Sequence, residues 1–170
     1  MSSIYKQAEW YLYHYLDIRA KEKRTREAIE DDAYNSAFGT GDNTPVKSSY
    51  TGSKTERAGE RLATTKGKEL SPIERMWIWA IENVWAVYQH EDLAMARFME
   101  RAFGLSENVP KVHKGNKGVI RDAIMADYFI DRVPTFYEYR RKIVNAVIES
   151  ALDFKAYNQK FANKKKKGQP

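Results

Sequence analysis

Between Ile73 and Tyr88, apolar side chains recur on nearly every side of a helical wheel. Ile73, Trp77, Ile81, Val84, Trp85 and Tyr88 form a broad stripe, with Ile78, Trp79 and Val87 alongside. A helix apolar round most of its circumference belongs at the centre of a core. Its start is marked by Ser71-Pro72-Ile73-Glu74: a capping serine, a proline where no amide donor is needed, and a glutamate able to reach back to the cap. The pattern carries this helix to about Gln89.

The flanking patterns are also helical. Ile4, Ala8, Tyr11, Tyr15 and Ile18 make a stripe, widened by Trp10, Leu12 and Leu16, so residues 3–37 read as one long N-terminal helix. Its half from Trp10 to Ile18 is expected to pack on the body. The continuation from Lys21 to Asp32 is nearly all charge, with Glu22–Arg26 and Glu27–Asp31 spacings suited to a solvated surface. Ile4, Tyr11 and Ile18 lie seven apart, for too few heptads to make a coiled coil. Residues 38–52, rich in Gly, Ser and Thr, read as a linker. Ser53-Lys54-Thr55-Glu56 offers a capping box for a short helix from Thr55 to about Lys66, stopped by Gly67. After the central helix, another starts near Asp92, carries Leu93, Ala96, Met99 and Phe103 on one side, and ends at Gly104.

Residues 119–154 give a two-helix unit. The first segment places Ile120, Ile124 and Tyr128 at four-residue spacing, with Ala123 and Met125 beside them. Asp131-Arg132-Val133-Pro134 breaks the pattern; Val133 is pushed towards extended geometry by the proline after it, and Pro134 fits the first turn of a new helix. That helix buries Phe136, Ile143, Val144, Val147, Ile148, Ala151 and Leu152, and keeps Thr135, Tyr137, Glu138, Arg141 and Lys142 for the other side. A buried C-terminal half with a polar, basic and aromatic N-terminal half suits the recognition helix of a helix-turn-helix, which reads base edges from its N-terminal residues. The competing reading is an ordinary helical hairpin with a solvated basic turn.

Charge narrows this picture. The formal net charge is +6, but Lys155, Lys160 and Lys164 to Lys167 supply six positives with no acid beyond Asp153, leaving residues 1–154 formally neutral. Bulk charge thus adds little to a nucleic-acid reading. Residues 111–142, however, carry eight Lys and Arg against four Asp and Glu, and such local asymmetry is an electrostatic footprint. The loop 105–118 holds Lys111, His113, Lys114 and Lys117, placed where backbone phosphates would lie. Residues 156–170 read as a basic disordered tail.

Several chemistries find no support. With no cysteine, a disulfide framework, a Cys-type zinc site and a thiol nucleophile are all excluded. His14, His90 and His113 are far apart and lack ligand-spaced partners, so no metal or cofactor is expected. Gly39-Thr40-Gly41 lacks the strand and Lys-Ser/Thr of a phosphate loop. Acidic pairs such as Asp31-Asp32 have no apolar pocket, so catalysis is not expected. No apolar run approaches a membrane span, and the chain opens directly into polar helix, which points to a cytoplasmic protein. Trp77, Trp79 and Trp85 suggest a single-strand stacking platform, but aromatics at helical spacing among aliphatics read first as core.

The order of these elements, a long N-terminal helix, a Ser/Thr/Gly linker, the Ser53–Glu56 start, an aromatic helix and a terminal two-helix unit, resembles phage regulators of the ArpU and RinA type. The C-terminal part of those proteins is similar to region four of bacterial sigma factors. The matching residues are Ala126 and Phe129 in the support helix, then Thr135-Phe136-Tyr137 and Tyr139-Arg140-Arg141-Lys142 in the recognition helix. The turn departs from the usual Gly-Ile-Ser-like sequence, reading Ile130-Asp131-Arg132-Val133-Pro134, and the 105–118 loop is longer than a tight sigma-like join.

The expectation is therefore an all-α fold: an N-terminal helix over 1–37, a linker over 38–52, a helical core over 53–155 containing a helix-turn-helix at 119–154, and the tail. The resemblance implies a sequence-specific, double-stranded-DNA-binding regulator of phage or prophage late genes in a bacterial cytoplasm. Thr135, Tyr137, Glu138 and Arg141 would face bases; Lys111, Lys114, Lys117, Arg121, Arg140 and Lys142 would meet phosphates. The rivals are a small terminase subunit, whose helix-turn-helix lies at the other end of the chain, and a protein-interaction module contacting RNA polymerase.

Overall fold

A computed structural model describes residues 3–38 and 70–167, and side chains over 3–31 and 70–156. The capping box at Ser53, the helix after it, Gly67 and the linker beyond Phe38 lie outside these residues. Among the described residues there are six helices and no strand: α1 (Ser3–Tyr13), α2 (Tyr15–Phe38), α3 (Pro72–Glu91), α4 (Leu93–Phe103), α5 (Lys117–Asp127) and α6 (Val133–Lys167). The fold is all-α. None of the described helices is long and apolar enough to cross a membrane.

The chain forms two compact units, Met1–Asp17 with Pro72–Pro170, and Ile18–Ser71. The division falls inside α2, not at the 38–52 linker. In the first unit α3 lies chiefly against α6; α1 packs on both, α4 on α3, and α5 on α4 and α6. Trp77, Ile78, Ile81 and Val84 of α3 meet a core completed by Leu12, Phe98, Met99, Phe103, Ile143, Val144 and Val147. Asn83 Nδ2 donates to the buried Ser150 hydroxyl at 3.1 Å, tying α3 to α6 by a satisfied polar pair. In the second unit the described part of α2 carries Arg19–Glu22 and Lys23–Glu27 ion pairs on its surface. Exposed pairs of this kind add little stability.

The N-terminal helix differs from expectation at one residue. It is interrupted at His14, where His14 Nδ1 donates to the Trp10 carbonyl at 2.8 Å, the same oxygen that accepts the His14 amide at 3.1 Å. The imidazole stacks on Trp10 with centroids 4.2 Å apart. Trp10 therefore covers His14 and stays half exposed instead of widening the buried stripe.

The central helix is less completely surrounded than its pattern suggests. Ile73, Trp79 and Val87 are exposed, as are Leu93 of α4 and Leu152 of α6. Ile73 and Leu152 face an open apolar groove shared with Ile4, Met76 and Phe154. Trp79 rests against Phe154 with ring centroids 5.0 Å apart.

Both ends of α4 follow the residues that mark them. Asp92 accepts from the Met95 amide at 3.0 Å. Gly104 closes the helix at φ +69°, and a Cβ there would lie 3.3 Å from the Val112 amide nitrogen. Conformation and space both select glycine. The sequence-based tail is corrected as far as Lys167, since α6 continues to that residue. Residues 156–167 hold neither Gly nor Pro and are rich in Lys, so nothing stops the helix before Gly168.

Candidate nucleic-acid interface

The residues proposed to meet DNA depend on how α5 is joined to α6. At the end of α5 the Ile130 amide donates to Met125 O at 2.8 Å and the Phe129 amide to Ala126 O at 3.4 Å. These two bonds, across six and four residues, define a Schellman close with Phe129 at its left-handed position, φ +52°. Ile130 is buried, as the apolar residue after such a close usually is, whereas the Phe129 ring is 89% exposed.

This corrects three expectations. Phe129 lies in the turn, not in the support helix. The break runs from Tyr128 to Arg132 and not through Val133 and Pro134. Val133 is the first residue of α6, because Arg132 O already accepts from Thr135 N at 3.1 Å and from Phe136 N at 3.4 Å. Pro134 still falls in the first turn, where its missing amide has no helical acceptor to lose.

A bulky residue at positive φ stores roughly 1 kcal/mol of strain that glycine avoids. Phe129→Gly is therefore expected to raise unfolding stability by up to about 0.5 kcal/mol in urea denaturation, since the exposed ring gives up little packing and glycine's greater unfolded-chain entropy offsets part of the relieved strain. A loss of stability would mean that the ring is packed after all.

The loop before α5 is braced by Asn116. Its Oδ1 accepts from the His113 amide at 2.8 Å, and its Nδ2 donates to the Lys111 carbonyl at 2.8 Å. Val112 anchors the loop in the core. Lys117 and Gly118, expected in the loop, belong to the first turn of α5.

On α6, Phe136 is buried in an aromatic cluster, its ring 5.3 Å from that of Phe98, with Tyr128 and Tyr139 also against Phe98. This fixes the rotation of the helix. Glu138, Arg141 and Lys142 share one exposed face with Tyr137, and Thr135 at its edge is half-buried. Asn145 continues that face one turn on, at i+4 from Arg141, and is exposed. The apolar stripe could have found it by exclusion, because Asn145 lies opposite Ile143 and Val147.

The basic residues divide into two groups. Lys114, Arg141 and Lys142 are exposed and form no ion pair among the described residues. The others have partners. Lys111 pairs with Asp17 on the surface, and Arg121 with Asp122 at 2.7 Å. The Arg121 guanidinium is held above the ordinary arginine range, first by its hydrogen bond to Asp122 and then by one to Tyr137. Lys117 Nζ lies 4.2 Å from the centre of the Tyr13 ring. Arg140 is turned inward. It pairs with Glu9 of α1, and its guanidinium carbon lies 5.6 Å from the Tyr13 ring centre, 5.4 Å from that of Phe103 and 5.9 Å from that of Tyr137.

Lys117, Arg121 and Arg140, separated in sequence, thus converge on one small cavity lined by Tyr13 and Tyr137. Burial pushes the Tyr13 hydroxyl up to about 12, partly offset by Arg140, so it stays protonated at neutral pH. Sequence reasoning missed Tyr13 and Glu9 because their meeting with α6 is a tertiary event with no local pattern. Among the described residues no group of His, Asp or Glu is placed to hold a metal ion. No family model matches the chain, and no match was found among curated proteins or solved structures.

Proposed function

We propose that this protein binds duplex DNA with sequence preference and regulates transcription, by its resemblance the late genes of a phage or prophage. The observation that supports this most is the outer face of α6: Tyr137, Glu138, Arg141, Lys142 and Asn145 lie together, exposed, on the helix that follows a tight left-handed turn. Side chains at the start of the second helix of such a pair are the ones that reach base edges.

In this reading Arg141 has the two-pronged donor geometry that matches guanine O6 and N7, and Asn145 the amide that matches adenine N6 and N7. Glu138 would accept from cytosine N4. Thr135 borders the same surface. Lys142 and Lys114 neutralise phosphates without reading sequence. Lys111 and Arg121 sit on solvent-facing surface and exchange a carboxylate partner for a phosphate at little cost, since such pairs are weak. Selecting bound duplexes from a random pool tests the proposal. A reproducible consensus supports it, and an unenriched pool removes it.

The lysines at 164–167 add a sequence-independent term. Deleting residues 162–170 is expected to leave melting nearly unchanged and to weaken non-specific DNA binding. The slope of log affinity against log salt should shrink by about 0.9 for each phosphate that is no longer neutralised. An unchanged slope would place these lysines away from DNA.

One observation favours a second reading, a protein-interaction module contacting RNA polymerase. Phe129 presents an aromatic ring to solvent at the turn, and aromatic anchors are common in protein interfaces. Polymerase retention that is lost in Phe129→Ala, with no duplex preferred, would favour it.

A further inference from the structure

The cavity between Tyr13, Lys117, Arg121, Tyr137 and Arg140 has a charge imbalance that the fold alone does not use. Its volume is about 100 Å³. That is room for several waters or one small anion. Three cations line it, and two carboxylates answer them: Glu9 pairs with Arg140 and Asp122 with Arg121. Lys117 rests on the Tyr13 ring and forms no ion pair among the described residues. The Arg140 Nε is sealed from solvent inside the packing, and it is the rest of the side chain that lines the cavity.

The first turn of α5 adds to this. Asn116 stands at the cap position but makes no side-chain capping bond, its amide group being turned back to His113 and Lys111. Among the described residues no side chain caps the leading amides of α5. Gly118 in that turn lines the cavity, and a Cβ there would meet nothing within 4 Å. An open, uncapped helix start carries the positive end of the helix dipole towards the same space.

We propose that this cavity binds one tetrahedral oxyanion, a phosphate group, held by Arg140, Lys117 and Arg121 with the start of α5. The chemistry on offer is almost entirely donors: two guanidiniums, an ammonium and phenolic hydroxyls. A phosphate supplies acceptors in every direction and offsets the excess positive charge. Two sources share that chemistry, a phosphodiester of bound DNA and a free phosphate ester. The assignment does not rest on DNA reading by α6, because it follows from the cavity and its charges alone.

The test is calorimetric titration of the full-length protein with inorganic phosphate, at ionic strength held constant with chloride. Saturable binding of one phosphate per chain is expected, accompanied by a shift of the Gly118 amide resonance. Lys117→Gln and Arg121→Gln should each weaken it roughly tenfold, the loss of one bond to a charged group. Both should melt like the parent without phosphate, since neither side chain is in the core. The absence of saturable heat and of any Gly118 shift would overturn the proposal, as would equal affinity in both variants and the parent. Once binding is established, duplex competition identifies the source. Displacement of DNA by saturating phosphate assigns a backbone phosphodiester, and undisturbed DNA binding assigns a free phosphate ester.

Discussion

Replacing Trp77 by alanine is expected to lower unfolding stability by about 3–5 kcal/mol, the range for truncating a large buried aromatic. Trp77 is 1% exposed in the middle of α3 and stacks on Tyr11 of α1 with centroids 5.6 Å apart. Its loss opens a cavity where α1 and α3 meet, and rigid helices close such cavities only in part. Trp77→Phe should cost much less, because the indole Nε1 is buried without an acceptor and removing it relieves a penalty. Trp85 is only half-buried, edge-on to Tyr15 at 6.3 Å, so Trp85→Ala should fall below the same range. Urea denaturation of the three variants gives the order directly. If Trp77→Ala melts like the parent and loses binding to single strands, the stacking-platform reading replaces the core reading.

Arg140→Ala is expected to cost roughly 2–3 kcal/mol of stability, between the values for exposed and fully buried ion pairs. The side chain is 15% exposed and Glu9, its partner, 28%. Deleting the guanidinium strands the Glu9 carboxylate in a partly dry site and removes the packing over three aromatic rings, each worth ~0.5–1 kcal/mol. Arg140→Lys should not restore the parent, since a point ammonium cannot both pair with Glu9 and lie flat against Tyr13 and Phe103. A double-mutant cycle with Glu9→Gln measures the coupling. If Arg140→Ala instead melts like the parent and weakens DNA binding, the sequence-based role as a surface phosphate contact stands, and the inward role fails.

These two residues mark where the sequence was legible and where it was not. Trp77 sits in a periodic apolar pattern behind a Ser-Pro-x-Glu start, and both features are local, so the central helix was readable almost to the residue. The Asp92 cap and the Gly104 stop were readable for the same reason. Arg140 carries no local mark that separates it from Arg141. Which of two adjacent arginines turns inward depends on the rotation of α6, which Phe136 fixes through its packing on Phe98 of α4. Phe129 misled in another way. The family resemblance placed it in the support helix, but no apolar spacing reveals that a residue sits at positive φ, a position glycine usually marks. The His14 interruption carries no local mark either, since neither Gly nor Pro stands there. The start of α6 before Pro134 shows that proline's bias on the preceding residue is a preference that packing can override.

The reading of α6 as a recognition helix stands on Arg141, and competitive binding across single-base variants of a selected duplex tests it most directly. Arg141→Ala should cost about 1–3 kcal/mol at the preferred site and relax preference at one base position. Lys114→Ala, as a phosphate contact, should weaken binding about equally for every sequence. Both variants should melt like the parent, because both side chains are exposed and unpaired among the described residues. Base preferences that survive Arg141→Ala unchanged, or a parent protein that prefers no duplex, would contradict the recognition-helix reading and leave the protein-interaction reading in its place.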